Sequence, residues 1–345
     1  MGQQAIIIVA LASLLVGISV TGFMGVWDYS NETTATLFER EQALNVSRSG
    51  VNLAVSQLRQ QKSWRAGYTN LATAGGTVTV GIVDLGLDTV RITSVGTINN
   101  RTHTTVVDAK LSSIFPTVES ALTVFGDSVH VSSSGKSFLI DGSDYRIDGT
   151  KSANPSVHGL GVQSGESAQD VITQLETQRG GSIAENVQGK GGAPSVGTFN
   201  TSNLNDLHQF YKDRATIILP AGKYASNTVI GSLERPEILY VPGDLEWRGT
   251  IIGTGILVVD GQLIMKGNIE WRGIVLAMSG DVTLELGGSG NPSILGTAWI
   301  GNKDPNKVTD VKVNGNPSIR YSYELLMTVL GNLGLLQVEM LRYYE

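Results

Sequence analysis

The aspartates of the C-terminal half are the residues whose type could support hydrolysis. Asp244, Asp260 and Asp281 lie among short apolar segments, at unequal intervals along the chain. Enzymes that cleave polysaccharides bring two carboxylates, or carboxylates and a calcium ion, together on one face. The motifs of this region recur from 246 to 270 and from 290 to 315. That interval is longer than either interval between the aspartates, so these side chains would not fall into one column. We therefore predict no acid cluster and no enzymatic activity.

Other groups that could do chemistry are few and scattered. The four histidines, His103, His130, His158 and His208, form no pair spaced as metal ligands, and the chain has no cysteine. The segment from Gly189 to Gly192 lacks the spacing of a phosphate-binding loop. The 25 basic and 31 acidic residues give a net charge of -6 without a basic cluster. The sequence predicts no cofactor, no metal ion and no nucleic-acid partner.

The most apolar part of the chain lies at its start. No charged side chain occurs from Met1 to Trp27, and the segment from Ala5 to Phe23 is almost wholly apolar. Because a helix rises by about 1.5 Å per residue, a helix over this segment crosses most of the core of a bilayer. This predicts a membrane span. The alternative, a removable secretory signal, would have a basic start and a shorter apolar stretch.

The pattern that follows predicts that the same helix continues. Residues 31 to 61 contain no proline. Two stripes recur at helical spacing, one of large apolar residues (Leu37, Leu44, Val51, Leu58) and one of small residues (Ala43, Ser47, Gly50, Ala54). We expect one helix of about sixty residues, apolar on all sides in its first half and amphipathic in its second. A membrane anchor followed by a coiled coil is the alternative.

Glycines mark the place where the two halves of this helix meet. Gly17, Gly22 and Gly25 lie there, and each costs about 1 kcal/mol of helix stability relative to alanine. We expect local unwinding at these three positions.

The segments GQQAIIIVALASLLVG and FEREQALNVSRSGVNLAVSQL resemble the N-terminal region of PilX-like type IV pilus assembly proteins. The motif after the apolar helix in that family falls here on Arg40, Gln42, Ala43, Leu44, Gly50, Ala54 and Leu58. Residues 91 to 111 resemble the strand pair that follows, so the likeness covers about the first third, and the C-terminal repeats resemble those of longer members. The resemblance implies insertion in the inner membrane, leader removal by a prepilin peptidase and packing of the helices into a filament core.

Two features depart from the pilin pattern. Most pilins carry a glutamate at the fifth mature position that pairs with a neighbour's amino terminus, whereas Ala5 stands here beside Gln3 and Gln4. We therefore do not expect a buried charge to set the register between subunits. No basic leader precedes Gly2; either Met1 is the first mature residue or a leader is missing from the sequence, and cleavage after Gly2 is an open alternative.

The middle of the chain predicts two kinds of structure. From Thr77 to Leu111 polar and apolar residues alternate, with turn signals at 86–88 and 99–100, which predicts antiparallel hairpins covered by the amphipathic half of the helix. Residues 154 to 205 are rich in glycine, serine and asparagine. They predict a loop-rich insert with one short helix from Ser167 to Gln178.

Two motifs repeat in the C-terminal half. The tetrapeptide EWRG at 246–249 returns at 270–273, and GNPSI at 290–294 returns at 315–319. Motifs that recur at an interval of about 20 to 50 residues indicate stacked supersecondary units. Placed in successive strands, Trp247 and Trp271 would point inward and stack as a ladder, with the Glu and Arg residues facing solvent. This predicts a right-handed parallel β-helix, with an antiparallel sandwich and a chance repeat as the alternative.

These patterns predict an α+β protein in five parts. They are a helix over 1–62, a pilin-like β-sheet region over 63–125, a loop-rich insert over 126–215, the β-helix over 216–320 and a capping helix over 321–345. The last helix would cover the open end of the β-helix or contact another subunit.

The function that these predictions favour is a structural subunit of an extracellular type IV pilus-like filament. Before assembly it would lie in the inner membrane with the pilus assembly machinery; its later partners would be copies of itself and other pilins. The expected assembly interface consists of apolar side chains of the first helix: Ile6, Ile7, Ile8, Val9, Leu11, Leu14, Leu15, Val16, Ile18 and Phe23. The alternative is a minor or tip pilin that binds carbohydrate or a surface through aromatics such as Tyr145, Tyr211 and Tyr224.

Overall fold

The computed structural model describes residues 2–344 apart from 63, 74, 87–88, 114, 136, 200–203, 280–282, 288–289, 303 and 305–306. Within that range the side chains of 2–12, 25–33, 279 and 283 are not described. The chain forms two compact units. The first comprises Met1–Leu58, Ser63–Ser112 and Val338–Glu345, and the second comprises Arg59–Lys62 and Ser113–Gln337.

The described residues form a mixed α/β protein in which strands predominate. The helices are α1 (Gly2–Gln60), α2 (Gly165–Thr177), α3 (Leu204–Lys212) and α4 (Tyr323–Asn332), with short 3-10 turns at Gln178–Gly181 and Ala184–Asn186. The strands of the first half are β1 (Tyr68–Thr73), β2 (Gly76–Gly86), β3 (Thr89–Ile98), β4 (Arg101–Ser113), β5 (Ser120–Phe125), β6 (Ser128–Ser133), β7 (Leu139–Asp141), β8 (His158–Val162), β9 (Val187–Gln188) and β10 (Val196–Thr198). Those of the second half are β11 (Ile217–Ile218), β12 (Gly222–Tyr224), β13 (Thr228–Ile230), β14 (Glu237–Val241), β15 (Leu245–Trp247), β16 (Thr250–Val259), β17 (Leu263–Met265), β18 (Asn268–Ser279), β19 (Thr283–Leu286), β20 (Ser293–Asn302), β21 (Val308–Val313), β22 (Ser318–Tyr321) and β23 (Leu336–Tyr344).

The first unit combines α1 with a sheet of order β1-β2-β3-β4-β23. Strands β2, β3 and β4 pair in antiparallel fashion, and Asn99 takes a positive φ of 50° in the turn between β3 and β4. The hairpins predicted from the alternation are thus confirmed. The turn at 87–88 lies outside the described residues.

The C-terminal segment corrects one prediction. Instead of one capping helix over 321–345, the chain forms α4 only to Asn332 and then the strand β23. Gly334, with a φ of 70°, lies just beyond the helix end, and the Val, Met, Leu and Tyr residues that follow favour a strand. Helix α4 buries Leu325, Val329 and Leu330 and packs against β18 and β20.

The second unit is a stack of turns whose strands pair in parallel on three faces. Strand β11 begins the first face, β12 the second and β13 the third, and each pairs with the strand one turn later: β14, β15 and β16. The pattern continues through β16, β18 and β20, which each bend from the third face into the first. The inward side chains of all three faces form one continuous apolar core.

A glycine column permits the bend in those long strands. Gly255, Gly273 and Gly296 occupy matching positions, each with a φ between 131° and 138°. A Cβ at Gly273 would lie 2.1 Å from the carbonyl oxygen of Gly255, and one at Gly296 would lie 2.0 Å from that of Gly273. Only glycine fits both the positive φ and the close approach of neighbouring turns.

The pairing register of the strands shows that only one of the two sequence repeats corresponds to a single turn of the stack. Ser293 pairs with Ser318, so the interval at which GNPSI recurs is a true turn length. Trp247, in contrast, pairs with Met265, and Trp271 pairs with Gly253. The two EWRG motifs therefore lie on different faces. The step from 247 to 271 consists of one turn, from 247 to 265, and a further step from the second face to the third.

Residues 126–198, predicted as part of a loop-rich insert over 126–215, instead continue the stack. Strand β5 pairs with β20, β6 with β21 and β7 with β22, so residues earlier in the sequence form the turn after β22. Strand β8 then adds to β5, and β10 adds to β8. The short helix predicted over 167–178 is present as α2, which begins after the N-cap Ser164. Periodicity did not reveal these strands because they are only 2 to 6 residues long.

Candidate assembly surface

The second half of α1 packs on the sheet of the first unit through the predicted small-residue stripe. Ala43, Ser47, Gly50 and Ala54 are all buried. Of the large apolar stripe, Val51 and Leu58 are buried, Leu44 is half-buried and Leu37 is exposed. The small side chains set the packed face because they let the helix backbone approach the strands closely.

The space around two glycines shows how closely α1 approaches the sheet. A Cβ on Gly50 of the helix would lie 2.3 Å from Val78 Cγ2 and 2.3 Å from Ser94 Oγ. A Cβ on Gly96 of β3 would lie 2.3 Å from the carbonyl oxygen of Ala43. A Cβ at either place would force neighbouring atoms to shift, so both glycines favour the close contact between α1 and the sheet.

The first half of α1 presents its described apolar side chains to solvent. Leu14, Leu15, Val16, Ile18 and Phe23 are 62 to 66% exposed. Successive helix residues are about 100° apart, so Leu14, Leu15 and Val16 point in three different directions. A single flat partner could cover only one of those directions. This stretch needs apolar surroundings on all sides, and we refer to residues 13–24 as the bare segment.

The helix runs through the glycines without a break. Gly17, Gly22 and Gly25 all lie within the continuous α1, so the unwinding predicted at these positions is wrong for this structure. Side-chain hydroxyls bond back to the helix here: Ser19 Oγ donates to the Leu15 carbonyl at 2.9 Å, and Thr21 Oγ1 donates to that of Gly17 at 2.9 Å. A cost of about 1 kcal/mol per glycine is too small to break a helix of this length.

Part of the predicted interface lies outside the described side chains. Ile6, Ile7, Ile8, Val9 and Leu11 belong to α1, but their side chains are not described. In the part of the chain that is described, no helix is both long enough and apolar enough to cross a bilayer, whereas the sequence predicted such a span over residues 5–23.

The sheet carries an ion pair on the face opposite α1. Thr105 and Val107 of β4 are buried, Thr105 bonding to Ser47 of the helix, so alternation places Asp108 on the other face. Arg91 donates to both oxygens of Asp108, with Nε to Oδ1 at 2.7 Å and Nη2 to Oδ2 at 2.9 Å. These hydrogen bonds lower the pKa of Asp108 below its usual value.

Of the three aspartates considered for catalysis, Asp244 and Asp260 are described and have different hydrogen-bond partners. Asp244 accepts the backbone N–H of Gln262 at 2.8 Å, and Asp281 lies outside the described residues. Asp260 lies 3.3 Å from His208 Nε2 and 3.4 Å from Lys212 Nζ, and it accepts the Tyr240 hydroxyl at 2.5 Å. These groups neutralise and orient one another. Strand register and α3, neither visible as a sequence motif, bring them together.

The Asp260 cluster shifts two pKa values. Burial raises the pKa of Tyr240, and its hydrogen bond to Asp260 raises it further. A hydrogen bond with Tyr240 raises the pKa of Lys212. Both shifts favour the protonated forms of Tyr240 and Lys212 at neutral pH, so these two groups act as donors toward Asp260.

Another carboxylate, that of Asp141, is buried and is held by a compact set of donors. It accepts hydrogen bonds from the Ser143 N–H at 2.8 Å and the Tyr145 hydroxyl at 2.7 Å, and Lys151 Nζ lies 3.0 Å away. Burial raises the pKa of Asp141, but these donors outweigh it and the net pKa is lowered. Among the described residues no group of three or more His, Cys, Asp or Glu could hold a metal ion.

The tryptophan ladder has a different basis from the predicted one. Trp247 and Trp271 are buried, and their rings stack with centroids 5.8 Å apart and an interplanar angle of 30°. The stacking joins side chains of two different faces across the core, not two strands of one column. Glu246 is also buried instead of solvent-facing, and it pairs with Lys223 of the preceding turn and with Arg248.

The aromatics considered for carbohydrate binding are mostly inaccessible. Tyr145 and Tyr211 are buried, and burial raises the pKa of Tyr211. Tyr224 is half-buried, and its hydroxyl donates to the Pro220 carbonyl at 2.6 Å. These three side chains form no aromatic groove.

Comparison with known proteins adds little to this geometry. No protein-family model matches the chain, and no curated protein matches its sequence. The crystal structure of the competence-associated pilin ComZ from Thermus thermophilus is similar over 89% of this chain and 97% of that chain, at 9% sequence identity and a TM-score of 0.28. That TM-score is too low to carry an argument about function.

Proposed function

We propose that this chain is a structural subunit of an extracellular type IV pilus-like filament, held together by packing of the first halves of α1 from many copies. The observation that carries the proposal is the bare segment. Its apolar side chains are exposed on all sides, while the second half of the same helix is buried on its own sheet. A bundle of like helices would cover all sides of the bare segment at once.

Energy considerations support assembly as the fate of this segment. Burying apolar surface contributes about 25 cal/mol per Å², and a fully buried leucine or isoleucine contributes about 1.5 to 3 kcal/mol. Several such residues per subunit would offset the entropy lost on association. The earlier stage in the inner membrane, implied by the resemblance, stays a prediction.

The second unit would form the exposed head of each subunit. We propose that its three-faced parallel stack is a right-handed β-helix, the architecture expected from the EWRG and GNPSI repeats together. A stiff stack of this kind suits a structural role, because each turn contacts only its neighbours and needs no ligand for stability.

Charge placed in the bare segment tests the proposal. The double variant Leu15→Asp, Ile18→Asp should reduce filament yield by at least about 100-fold, since an unpaired carboxylate buried among apolar helices costs several kcal/mol. The matched control is Val83→Asp on β2, which is 63% exposed in the same unit. Electron microscopy measures filaments, and thermal unfolding shows that each variant folds. Filaments of normal yield from the double variant would exclude this mode of assembly.

The second candidate is a minor or tip pilin that acts as an adhesin. Ala5, in place of the usual glutamate, favours it, because a subunit at the tip needs no charge to register on a copy beyond it. Quantitative gel analysis of purified filaments separates the two candidates: a dominant band indicates the main subunit, and a trace band indicates a tip component. Binding to a glycan array would then support the adhesive role, and silence across the array would argue against it.

A further inference from the structure

A groove follows the corner between the second and third faces of the stack. The backbone of Gly249, Gly267 and Gly290, at this corner in three successive turns, lines it. A Cβ at Gly267 would lie 2.4 Å from the Gly249 carbonyl oxygen, and one at Gly290 would lie 2.1 Å from the Gly267 carbonyl carbon. Because no side chain rises from these positions, the corner is open over two turn spacings, or about 10 Å. We refer to this cavity of about 520 Å³ as the corner groove.

The two walls of the corner groove differ in charge. Arg248 and Lys266 form the wall toward the second face and lie in adjacent turns, with backbones about 4.8 Å apart. The wall toward the third face carries Asn227, Thr250 and Asn268, which are uncharged and exposed. The groove thus offers two neighbouring cations on one side and carboxamide and hydroxyl groups on the other.

Carboxylates beneath the surface hold these cations in place. The Glu246 side chain is 8% exposed and pairs with Lys223 at 3.0 Å and with Arg248, whose Nε lies 2.5 Å from Glu246 Oε1. Lys266 Nζ lies 2.9 Å from Glu285, whose side chain is 21% exposed. The three cations are 74, 55 and 32% exposed, so they are the outer members of these pairs. Hydrogen bonds from Lys223 and Arg248 lower the pKa of Glu246, which therefore stays ionised at neutral pH.

The groove keeps a positive charge although its cations are paired. The three cations share two carboxylates, a balance of +1, whereas the whole chain carries -6. Glu270, on the third face, is itself paired with Arg272 at 2.6 Å and adds no net charge. The Arg248 guanidinium also has more N–H donors than its contact with Glu246 uses, which are Nε and Nη2. An anionic group is therefore the ligand that fits the cationic wall.

The lining of the groove decides which polyanion fits. Among the described residues that line it, none is aromatic, whereas proteins bind single-stranded nucleic acids by stacking bases on aromatic side chains. Two cations are too few for duplex DNA, whose binding proteins contact about 6 to 10 phosphates. An acidic polysaccharide suits both walls, because its acid groups bind cations and its hydroxyl groups bind carboxamides and hydroxyls. The volume of the groove lies within the range of ligand sites, about 300 to 1,000 Å³.

We propose that the corner groove binds an acidic polysaccharide. A carboxylate or sulfate group is held between Arg248 and Lys266, and sugar hydroxyls bond to Asn227, Thr250 and Asn268. The proposal names a ligand class for the adhesive role, and it rests on the proposed function in that the second unit must be exposed outside the cell. Assembly through the bare segment uses none of these side chains.

Binding to the full-length chain in detergent tests the proposal. Isothermal titration calorimetry should show binding of dextran sulfate, of oligogalacturonate or of both, and none of neutral dextran. The variant Arg248→Gln, Lys266→Gln should raise the dissociation constant at least about tenfold. The control is Arg272→Gln, Lys110→Gln, which removes the same charge outside the groove, and Arg272 is held by a glutamate in the same way. Equal weakening in the two variants, or no binding of either acidic probe by the wild type at millimolar concentration, would overturn the proposal.

The variant Thr250→Glu tests the same groove without removing an ion pair. Thr250 is exposed, so thermal unfolding should be unchanged, while the new carboxylate should repel the acidic probes and raise their dissociation constants. Duplex DNA or inorganic sulfate that binds the wild type as tightly as the acidic polysaccharides would contradict the assigned ligand class. The groove variants should still form filaments. Failure of the wild type to form filaments would count against assembly through the bare segment and not against the groove.

Discussion

The two halves of α1 belong to one unbroken helix and yet have different surroundings. The second half carries Ala43, Ser47 and Gly50 on one face and is buried on its own sheet. The first half carries large apolar side chains in every direction and leaves those that are described in solvent. The stripe of small residues is covered by the chain's own sheet, whereas the described apolar side chains of the first half are covered by no part of the chain that is described.

The largest effect should come from filling the space between α1 and β3. In Gly96→Ala the new Cβ would lie 2.3 Å from the Ala43 carbonyl oxygen and 2.5 Å from Ser47 N. We expect the free energy of unfolding to fall by about 1 to 3 kcal/mol, measured by denaturant titration. The control is Gly81→Ala on β2, where nothing lies within 4 Å. Equal stability of the two variants would mean that α1 does not lie against β3.

The next effect concerns the polar contact inside this packed half. Ser47 Oγ lies 2.7 Å from Thr105 Oγ1, and both side chains are fully buried. Ser47→Ala would leave the Thr105 hydroxyl without this partner, which should cost about 1 to 2 kcal/mol. Ser49→Ala is the control, because the Ser49 hydroxyl is exposed and bonds only to its own helix at Asn45. A loss of similar size in both variants would show that the effect is one of helix propensity.

Two matched glycine-to-alanine substitutions should change stability in opposite directions in the two halves of α1. Nothing lies within 4 Å of the Cβ position at Gly22, so Gly22→Ala should stabilise the helix by about 1 kcal/mol. Gly50→Ala should instead destabilise the first unit, since its Cβ would contact Val78 and Ser94 at 2.3 Å. Amide hydrogen exchange of residues 13–24 and 43–58 measures both. The same sign for both variants would remove the distinction between the halves.

The smallest effect should appear on the sheet face that α1 does not cover. The pKa of Asp108 is lowered in the folded state by Arg91, so the pair contributes stability above the unfolded pKa of about 3.9. That contribution is lost as the pH falls through the folded pKa. The difference in stability between wild type and Asp108→Asn should therefore shrink below about pH 4. A difference independent of pH would show that the carboxylate charge contributes nothing. Because Arg91 is partly exposed, the effect should be small.

Local sequence patterns anticipated the elements that depend on neighbours in sequence. The heptad and small-residue stripes predicted a helix of about sixty residues, and α1 spans 59. Alternation predicted the hairpins of β2, β3 and β4, and α2 lies where a short helix was expected. Each of these depends on the helical or the strand periodicity of side chains, which is visible in a single segment.

The pairing register between strands of successive turns, in contrast, was not visible within a single segment of the sequence. The identical tetrapeptides at 246–249 and 270–273 suggested one column, yet they lie on different faces. The reason is that turn length varies along the stack: the turn from Trp247 to Met265 is shorter than the turn from Ser293 to Ser318. The Trp247 and Trp271 rings still meet, since buried side chains from two faces share one narrow core. The repeated motif thus indicated that both tryptophans are buried, but it did not indicate on which face of the stack each one lies.

The sequence by itself determined the long helix, its division into an apolar first half and an amphipathic second half, and the predominance of strands in the rest. These features follow from side-chain type and spacing. Tertiary structure alone decided that residues 120–198 extend the stack begun at 217 and that β23 joins the first sheet beside β4. It also decided that Gln174 and Gln178 bond to the backbone edge of β6. These contacts join residues far apart in sequence. Backbone edges pair according to which strand is adjacent in space, and side-chain identity records that adjacency only weakly.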